Sequence, residues 1–194
     1  KEDVESAAEY KHLFDDMLKS GELDVAYDIY QNSLERRFER YTYALSLLDD
    51  EKPMDFSEQG DKYYYDREDA EWAKTEEELD ELWQSRVKYD ALNLKLAGKE
   101  WPEIVETLGK RYNSALNRLT KSKSEDVFQT LMNAFARSVE PHTSYLSPSN
   151  SERFKQNMNL ELEGIGAVLQ SEYDYTVIRS LVPGGPADKT GKLS

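Results

Sequence analysis

Cysteine is absent from the sequence, which excludes disulfide bonds, thiolate zinc sites and cysteine nucleophiles. Histidine is scarce, with two in 194 residues, so few imidazole groups are present for metal binding or proton transfer. No segment approaches the ~20 apolar residues of a membrane-spanning helix. Positive charge is in deficit, because 25 Lys and Arg residues face 39 Asp and Glu residues and leave a net charge of −14. This imbalance argues against a general affinity for nucleic acid or anionic lipid, since both would repel the chain.

Aromatic residues are plentiful, at 11% of the sequence. A disordered acidic chain would lack them, so we expect a buried core. The negative charge is concentrated in residues 49–81, where fifteen acidic residues face four basic ones. We interpret this stretch as a solvated linker and helix start rather than as a metal or partner site. The three consecutive tyrosines at 63–65 predict that the linker is attached to the rest of the protein.

Residues 1–139 show helical periodicity. From 23 to 48 the apolar residues recur at steps of three and four, which places them on one face of a helix. Thr75 and Glu78 form a capping box, which predicts a helix start, and Ser124 is the expected N-cap of a later helix. The apolar faces of these segments predict a helical bundle.

The pattern changes after residue 139. Residues 140–159 are typical of a loop followed by a short helix, with Ser149 as its expected N-cap. Strand-forming residues first appear from Leu160 onwards, in two apolar runs on either side of residues 171–174. These four residues favour a turn, so the two runs predict a β-hairpin.

No group of side chains predicts catalysis or metal binding. His12 lies on a charged helix without a convergent third ligand, and we interpret it as a surface residue. His142 follows Pro141 in the loop, where we expect it to hydrogen-bond to the backbone. No nucleophile elbow of the Gly-x-Ser-x-Gly type is present. We therefore predict no catalytic constellation, no metal and no cofactor in this chain.

The segment with a functional pattern is the glycine pair Gly164 and Gly166 at the start of the first strand. Two glycines around one apolar residue let backbone N–H groups point into one concavity, which suits a carboxylate. The strand that follows has an edge to which an extended peptide can add. The alternative is an ordinary pair of turn glycines. The candidate peptide-binding residues are Gly164, Ile165, Gly166, Ala167, Val168 and Leu169.

Several motifs carry a resemblance to a known family. Residues 140–148 (EPHTSYLSP), followed by Phe154 and the Gly-Ile-Gly at 164–166, resemble the segment that leads into the PDZ domain of C-terminal processing proteases. The family more often has Asp where this chain has Glu140. Residues 182–187 (VPGGPA) look like the segment before the short PDZ helix. The helical region is also similar to the N-terminal domain of members of this family, notably in its LWQSRVKYD and SEDVF segments.

The resemblance implies a serine endopeptidase of the S41 type, located in the periplasm and in contact with the inner membrane. Such enzymes recognise nonpolar C-termini of substrate proteins and degrade or process them, using a Ser–Lys dyad. That dyad lies in a protease domain after the PDZ domain, so we expect this chain to lack it and to be inactive. The chain starts at Lys1 without Met or a signal peptide, and we expect it to be a piece of a longer protein.

The resulting hypothesis is a mostly α chain: a helical N-terminal domain in residues 1–139, a linker and short helix in 140–159, and the incomplete beginning of a PDZ domain in 160–194. The resemblance implies that amides around Gly166 receive the C-terminal carboxylate and that Val168 and Leu169 border an apolar cleft. The expected partners are polypeptides with apolar C-termini and an adaptor protein, not nucleic acid. The alternative is a non-enzymatic helical adaptor or interaction module.

Overall fold

The computed structural model describes residues 2–57, 62–159, 164–173 and 175–192. Its helices and strands confirm the mostly α class within these ranges. In chain order the elements are α1 (Glu2–Glu9), α2 (Phe14–Ser20), α3 (Asp24–Ser46), α4 (Glu76–Leu96), α5 (Trp101–Thr120), α6 (Ser124–Val139), α7 (Pro148–Asn159), β1 (Ala167–Glu172), β2 (Tyr175–Leu181) and α8 (Pro186–Thr190). Leu160, which the sequence places at the start of the first strand run, lies outside the described residues.

The chain forms two compact units, residues 1–121 and residues 122–194. Helix α6 therefore belongs to the second unit, whereas the sequence pattern grouped it with the preceding helices. The predicted domain bounds at 139 and 159 stay a prediction. Within the described ranges, no helix combines the length and the apolar character needed to cross a membrane.

The first unit is built on α3, α4 and α5, which pack against one another. Two alanines, Ala44 on α3 and Ala91 on α4, are fully buried in the core. Because alanine side chains are small, the helix backbones can approach closely at these points. The buried core cluster consists of Ala44, Val87, Ala91, Ile104, Leu108 and Tyr112.

The acidic linker between α3 and α4 is attached to this core, as the tyrosines predicted. The indole Nε1 of Trp101 donates a hydrogen bond to the Asp49 carbonyl oxygen at 2.8 Å. Phe56 packs against the core cluster. The ring of Tyr63 lies 5.1 Å from that of Tyr89, measured between centroids, within the range of a favourable aromatic pair.

The predicted start of α4 is confirmed. The Thr75 hydroxyl accepts a hydrogen bond from the Glu78 amide at 3.2 Å. The Glu78 carboxylate accepts from the amide of Lys74 at 2.8 Å, one residue before the N-cap. The three consecutive glutamates in the first turn also stabilise the helix, because their negative charges lie at the positive end of the helix dipole.

Two other predicted N-caps are wrong by one or two residues. Ser124 is the first residue of α6, and Lys123 precedes it as N-cap. The Asp126 carboxylate accepts from the Lys123 amide at 2.9 Å, so this orphan donor is satisfied one residue earlier than expected. Ser149 lies inside α7, because Pro148 already has the φ angle that a first helical residue needs.

Tyr112 on α5 is the largest fully buried side chain of the core. Its hydroxyl donates a hydrogen bond to Asp90 Oδ2 on α4 at 2.9 Å, which links the two helices. Burial raises the pKa of Tyr112 well above its ordinary value, and the neighbouring Asp90 carboxylate raises it further. The folded state therefore favours the neutral phenol.

This shift predicts a loss of stability at high pH. The contribution of the neutral phenol is complete below about pH 10 and is lost as the pH rises towards the raised pKa. In that window the free energy of unfolding should fall by up to about 1.4 kcal/mol per pH unit because of this one group. Urea denaturation between pH 8 and pH 11 measures the slope.

The matched variants are Tyr112→Phe and Tyr64→Phe, since Tyr64 is 68% exposed. Tyr112→Phe should flatten the decline above pH 10, because the buried group that ionises is gone. Tyr64→Phe should keep the wild-type slope. Equal slopes in all three proteins would show that Tyr112 does not couple folding to pH.

Candidate functional site

The predicted β-hairpin is confirmed in the second unit. Strand β1 pairs with β2 in antiparallel orientation, from Ala167 opposite Leu181 to Glu172 opposite Tyr175. The turn is shorter than predicted, because the ladder continues through Ser171 and Glu172. Among the described residues the sheet has two strands, so the edge of β1 that faces away from β2 has no strand partner there.

The glycine segment (residues 164–167) is held by the loop after β2 and the first residues of α8, which together we call the clasp turn (residues 182–188). The Ala187 amide donates a hydrogen bond to the Ile165 carbonyl oxygen at 2.9 Å. The Val182 amide donates to the Gly166 carbonyl oxygen at 2.8 Å. Two consecutive carbonyl groups of the glycine segment are thus directed at the clasp turn.

These two bonds determine where the next two amides point. The described residues contain no cis peptide bond, and in a trans peptide the N–H points away from the carbonyl of the same unit. The N–H groups of Gly166 and Ala167 are therefore directed away from the clasp turn. The pairing of β1 with β2 indicates the same direction for the Ala167 N–H. Because the Val182 amide donates to the Gly166 carbonyl oxygen, Ala167 and Leu181 form a non-hydrogen-bonded pair of the antiparallel ladder. The Ala167 N–H faces the open edge of β1.

Position 166 requires a glycine for two reasons, its backbone conformation and the lack of space for a Cβ atom. Its φ angle is +74°, in the left-handed region that favours glycine. A Cβ at this position would lie 2.8 Å from Pro186 Cδ and 3.0 Å from Pro186 N. Gly185 is similarly confined, because a Cβ there would lie 2.9 Å from the Val182 carbonyl oxygen. The glycine segment and the clasp turn can pack this closely only without side chains at these two positions.

A second feature of this unit is the loop before α7, which is bonded to α6. The side-chain amide of Asn133 brackets Tyr145: its Oδ1 accepts from the Tyr145 amide at 2.8 Å, and its Nδ2 donates to the Tyr145 carbonyl oxygen at 3.1 Å. One turn earlier on α6, Gln129 Oε1 accepts from the Ser147 amide at 2.8 Å. The ring of Phe128 meets the ring of Tyr145 edge to face at 5.5 Å between centroids.

His142 bonds to the Glu140 side chain, whereas the sequence led us to expect a hydrogen bond to the backbone. Its Nδ1 lies 2.8 Å from Glu140 Oε1, while its backbone amide donates to Glu140 Oε2 at 3.0 Å. The Thr143 hydroxyl donates to the same carboxylate at 2.7 Å. Hydrogen bonds from Thr143 and His142 lower the pKa of Glu140. The hydroxyl is thus bonded to the carboxylate and not to the imidazole, so these residues do not form a nucleophile–base pair.

A family model for the tail-specific protease N-terminal domain matches residues 1–149. The chain belongs to this family. Over 184 residues it is 50% identical to the tail-specific protease of Haemophilus influenzae, an alignment that covers 95% of this chain and 26% of that relative. The chain thus spans about a quarter of the length of the relative it matches. The resemblance to C-terminal processing proteases is confirmed at the level of the family.

In this tail-specific protease family member, the apolar side chains of the candidate segment are accessible. Ile165 is 59% exposed, Val168 is 49% exposed and Leu169 is 51% exposed. A register irregularity between Val168 and Leu169 interrupts the ladder at this point. Within the described ranges, no group of three or more acidic or histidine side chains is arranged to hold a metal ion.

Sequence reasoning missed the residues that hold these segments in place. Asn133 and Gln129 lie four residues apart on α6, and their spacing places both on one face of the helix. That polar spacing was the available signal. Asp188, whose Oδ2 accepts a hydrogen bond from the Gly184 amide in the clasp turn, was also missed, because a single acidic residue on a short helix is not distinguished by any pattern.

The first prediction from this site concerns Asn133. Asn133→Ala removes both hydrogen bonds to Tyr145 and should cost about 1–3 kcal/mol of local stability, because the partner groups are partly buried. Amide hydrogen exchange at Tyr145 measures this cost. Arg137→Ala, an exposed position one turn further along α6, is the matched control and should leave that exchange rate unchanged. Similar exchange in both variants would contradict the bracketing role.

The second prediction compares two glycines with the same backbone conformation. Gly166 and Gly184 both have positive φ angles, but a Cβ at Gly184 meets no atom within 4 Å. Gly184→Ala therefore adds conformational strain alone, whereas Gly166→Ala adds strain and a collision with Pro186. Overpacking of this kind costs about 1–3 kcal/mol, so amide exchange at Ala187 should be faster by about tenfold or more in Gly166→Ala than in Gly184→Ala.

Equal exchange rates at Ala187 in the two glycine variants would show that the contact with Pro186 does not hold the segment. Exchange at Val177 within the hairpin serves as an internal reference. It should change little in Gly184→Ala, because this substitution leaves the β1–β2 ladder intact.

Proposed function

We propose that this chain is the N-terminal region and the beginning of the PDZ domain of a serine-type C-terminal processing protease located in the periplasm. In this proposal residues 164–169 bind the nonpolar C-terminus of a substrate polypeptide. The family membership supports the protease origin. The observation that carries the binding role is the direction of the Gly166 and Ala167 N–H groups, which point away from the clasp turn.

A terminal carboxylate fits such a pair of donors. Successive backbone N–H groups that face one side form a concave anion site without any charged side chain. Hydrogen bonds to an ionised carboxylate are stronger than those between neutral groups. A site of this kind is compatible with the strongly acidic chain, because the attraction comes from amides at close range and not from the net charge.

The residues of the peptide before its carboxylate would extend along the open edge of β1. Main-chain hydrogen bonds to an added strand give affinity, and pockets for alternate side chains give specificity. Val168 and Leu169 are half exposed at this strand and would contact apolar side chains of the substrate. This arrangement favours a nonpolar tail over a charged one, since a charge would lose hydration without gaining a partner.

Peptide hydrolysis in this proposal belongs to a Ser–Lys dyad elsewhere in the protein, with Lys as the general base for Ser. We assign that role to no Ser or Lys of this chain. The helical unit would position the PDZ and protease domains, and an adaptor protein and the inner membrane are the further expected contacts.

The test uses the full-length protein that carries this chain. Two unfolded substrates identical except at the C-terminus, one a free acid and one an amide, are compared for cleavage after the same nonpolar tail. The free acid should be cleaved with a kcat/KM higher by about tenfold or more, because hydrogen bonds to a charged group contribute ~1.5–3 kcal/mol each. This chain alone should cleave neither substrate.

Equal cleavage of acid and amide would contradict recognition of the carboxylate. Absence of cleavage by the full-length protein, combined with stable binding of other proteins, would favour the helical adaptor. Cleavage by this chain alone that is lost on replacing one serine would overturn the assignment of catalysis to another part of the protein.

A further inference from the structure

The clasp turn is itself held by a side chain, Asp188. The Asp188 Oδ2 atom accepts a hydrogen bond from the Gly184 amide at 2.8 Å. Gly184 has a φ angle of +75° and lies within the reversal of the chain between β2 and α8. Within that reversal the Gly185 amide donates to the Val182 carbonyl oxygen at 2.9 Å. The side chain of Asp188, at the α8 end of the turn, thus holds the turn closed through the Gly184 amide.

The same turn carries both amides that fix the glycine segment. Val182 donates to Gly166 and Ala187 donates to Ile165, and these two donors stand at the two ends of the reversal that Asp188 closes. Ala187 is 8% exposed, so the end next to Asp188 is packed. A change in the turn that moves either donor alters the spacing between them. Because the carbonyl and the next N–H share one plane, it also rotates the amides of the glycine segment.

We propose that Asp188 is a positioning residue for carboxylate recognition: it holds the clasp turn in the shape that aims the Gly166 and Ala167 N–H groups at the substrate C-terminus. The inference rests on the proposed function of the glycine segment. Asp188 does not touch the substrate in this account. Its carboxylate acts through the Gly184 amide, then through the Val182 and Ala187 donors.

If Asp188 acted only through its charge, its removal would strengthen binding of the free acid, whereas loss of a positioning residue would weaken it. An acidic side chain near an anion site repels the anion, so removing the charge would strengthen binding of the free acid. The positioning role predicts weaker binding when the hydrogen bond is lost and little change when only the charge is lost. Four variants separate these cases: Asp188→Ala removes the acceptor, Asp188→Asn keeps an acceptor without the charge, Asp188→Glu keeps the charge but displaces the oxygens, and Lys189→Ala is an exposed control on the same helix.

The first measurement is the KM of the full-length protein for the free-acid and amidated substrates. Asp188→Ala and Asp188→Glu should raise KM for the free acid by about three- to tenfold, with kcat unchanged, since one hydrogen bond contributes roughly 0.5–1.5 kcal/mol. Their KM for the amide should stay at the wild-type value. Asp188→Asn and Lys189→Ala should behave like the wild type with both substrates.

The second measurement is amide exchange at Gly184 and Ala187 in this chain, which reports the clasp turn without any peptide. Exchange should accelerate in Asp188→Ala and in Asp188→Glu. If amide exchange accelerates in these variants while the ratio of KM for the free acid to KM for the amide stays at the wild-type level, the positioning role is wrong and the proposed function stands. If the wild-type protein does not distinguish acid from amide, the proposed function fails and the inference fails with it. Tighter binding of the free acid by Asp188→Ala and Asp188→Asn would replace positioning with repulsion.

Discussion

Two backbone hydrogen bonds, from Val182 to Gly166 and from Ala187 to Ile165, determine the geometry on which the proposed site depends. The hairpin beside them is largely exposed along both strands, so apolar burial contributes little to its shape. A two-stranded hairpin is marginal in water when burial is weak. The direction of the candidate amides therefore follows from peptide planarity and from the close contact of Gly166 with Pro186 rather than from a surrounding core.

The first unit, in contrast, is stabilised by a buried apolar core. Its three long helices bury a continuous apolar cluster, and the acidic linker is attached by aromatic contacts and by the bond from Trp101 to the chain at Asp49. The many carboxylates of the linker can remain in water because its aromatic side chains make the contacts with the core. This explains how a segment with a large negative charge can still be attached to the helical core.

The sequence predicted much of the helical structure because periodicity reports burial directly. The capping box at Thr75 was predictable for a different reason, since it is a local pattern within four residues. The starts of α6 and α7 were misplaced because several polar residues compete to satisfy the same orphan amides. The choice between neighbours such as Lys123 and Ser124 depends on backbone angles that the sequence does not state.

For the candidate site, the sequence indicated the glycine segment but not what holds it. The contact between Gly166 and Pro186 joins positions twenty residues apart, and the bracket from Asn133 to Tyr145 joins positions twelve residues apart. Such contacts form only when the chain has folded. No local sequence pattern distinguishes the residues that make them from residues that are exposed to solvent. The family resemblance supplied the functional hypothesis, while the hydrogen bonds supply its physical basis.

The most direct measurement is a nuclear magnetic resonance titration of this chain, labelled with nitrogen-15, with a nonpolar peptide as free acid and as amide. Chemical shifts report weak binding, so a marginal hairpin does not prevent the observation. We expect the Gly166 and Ala167 amide resonances to shift with the free acid and much less with the amide. Equal shifts with both peptides, or shifts that avoid these two amides, would contradict the claim that the clasp turn aims them at a C-terminal carboxylate.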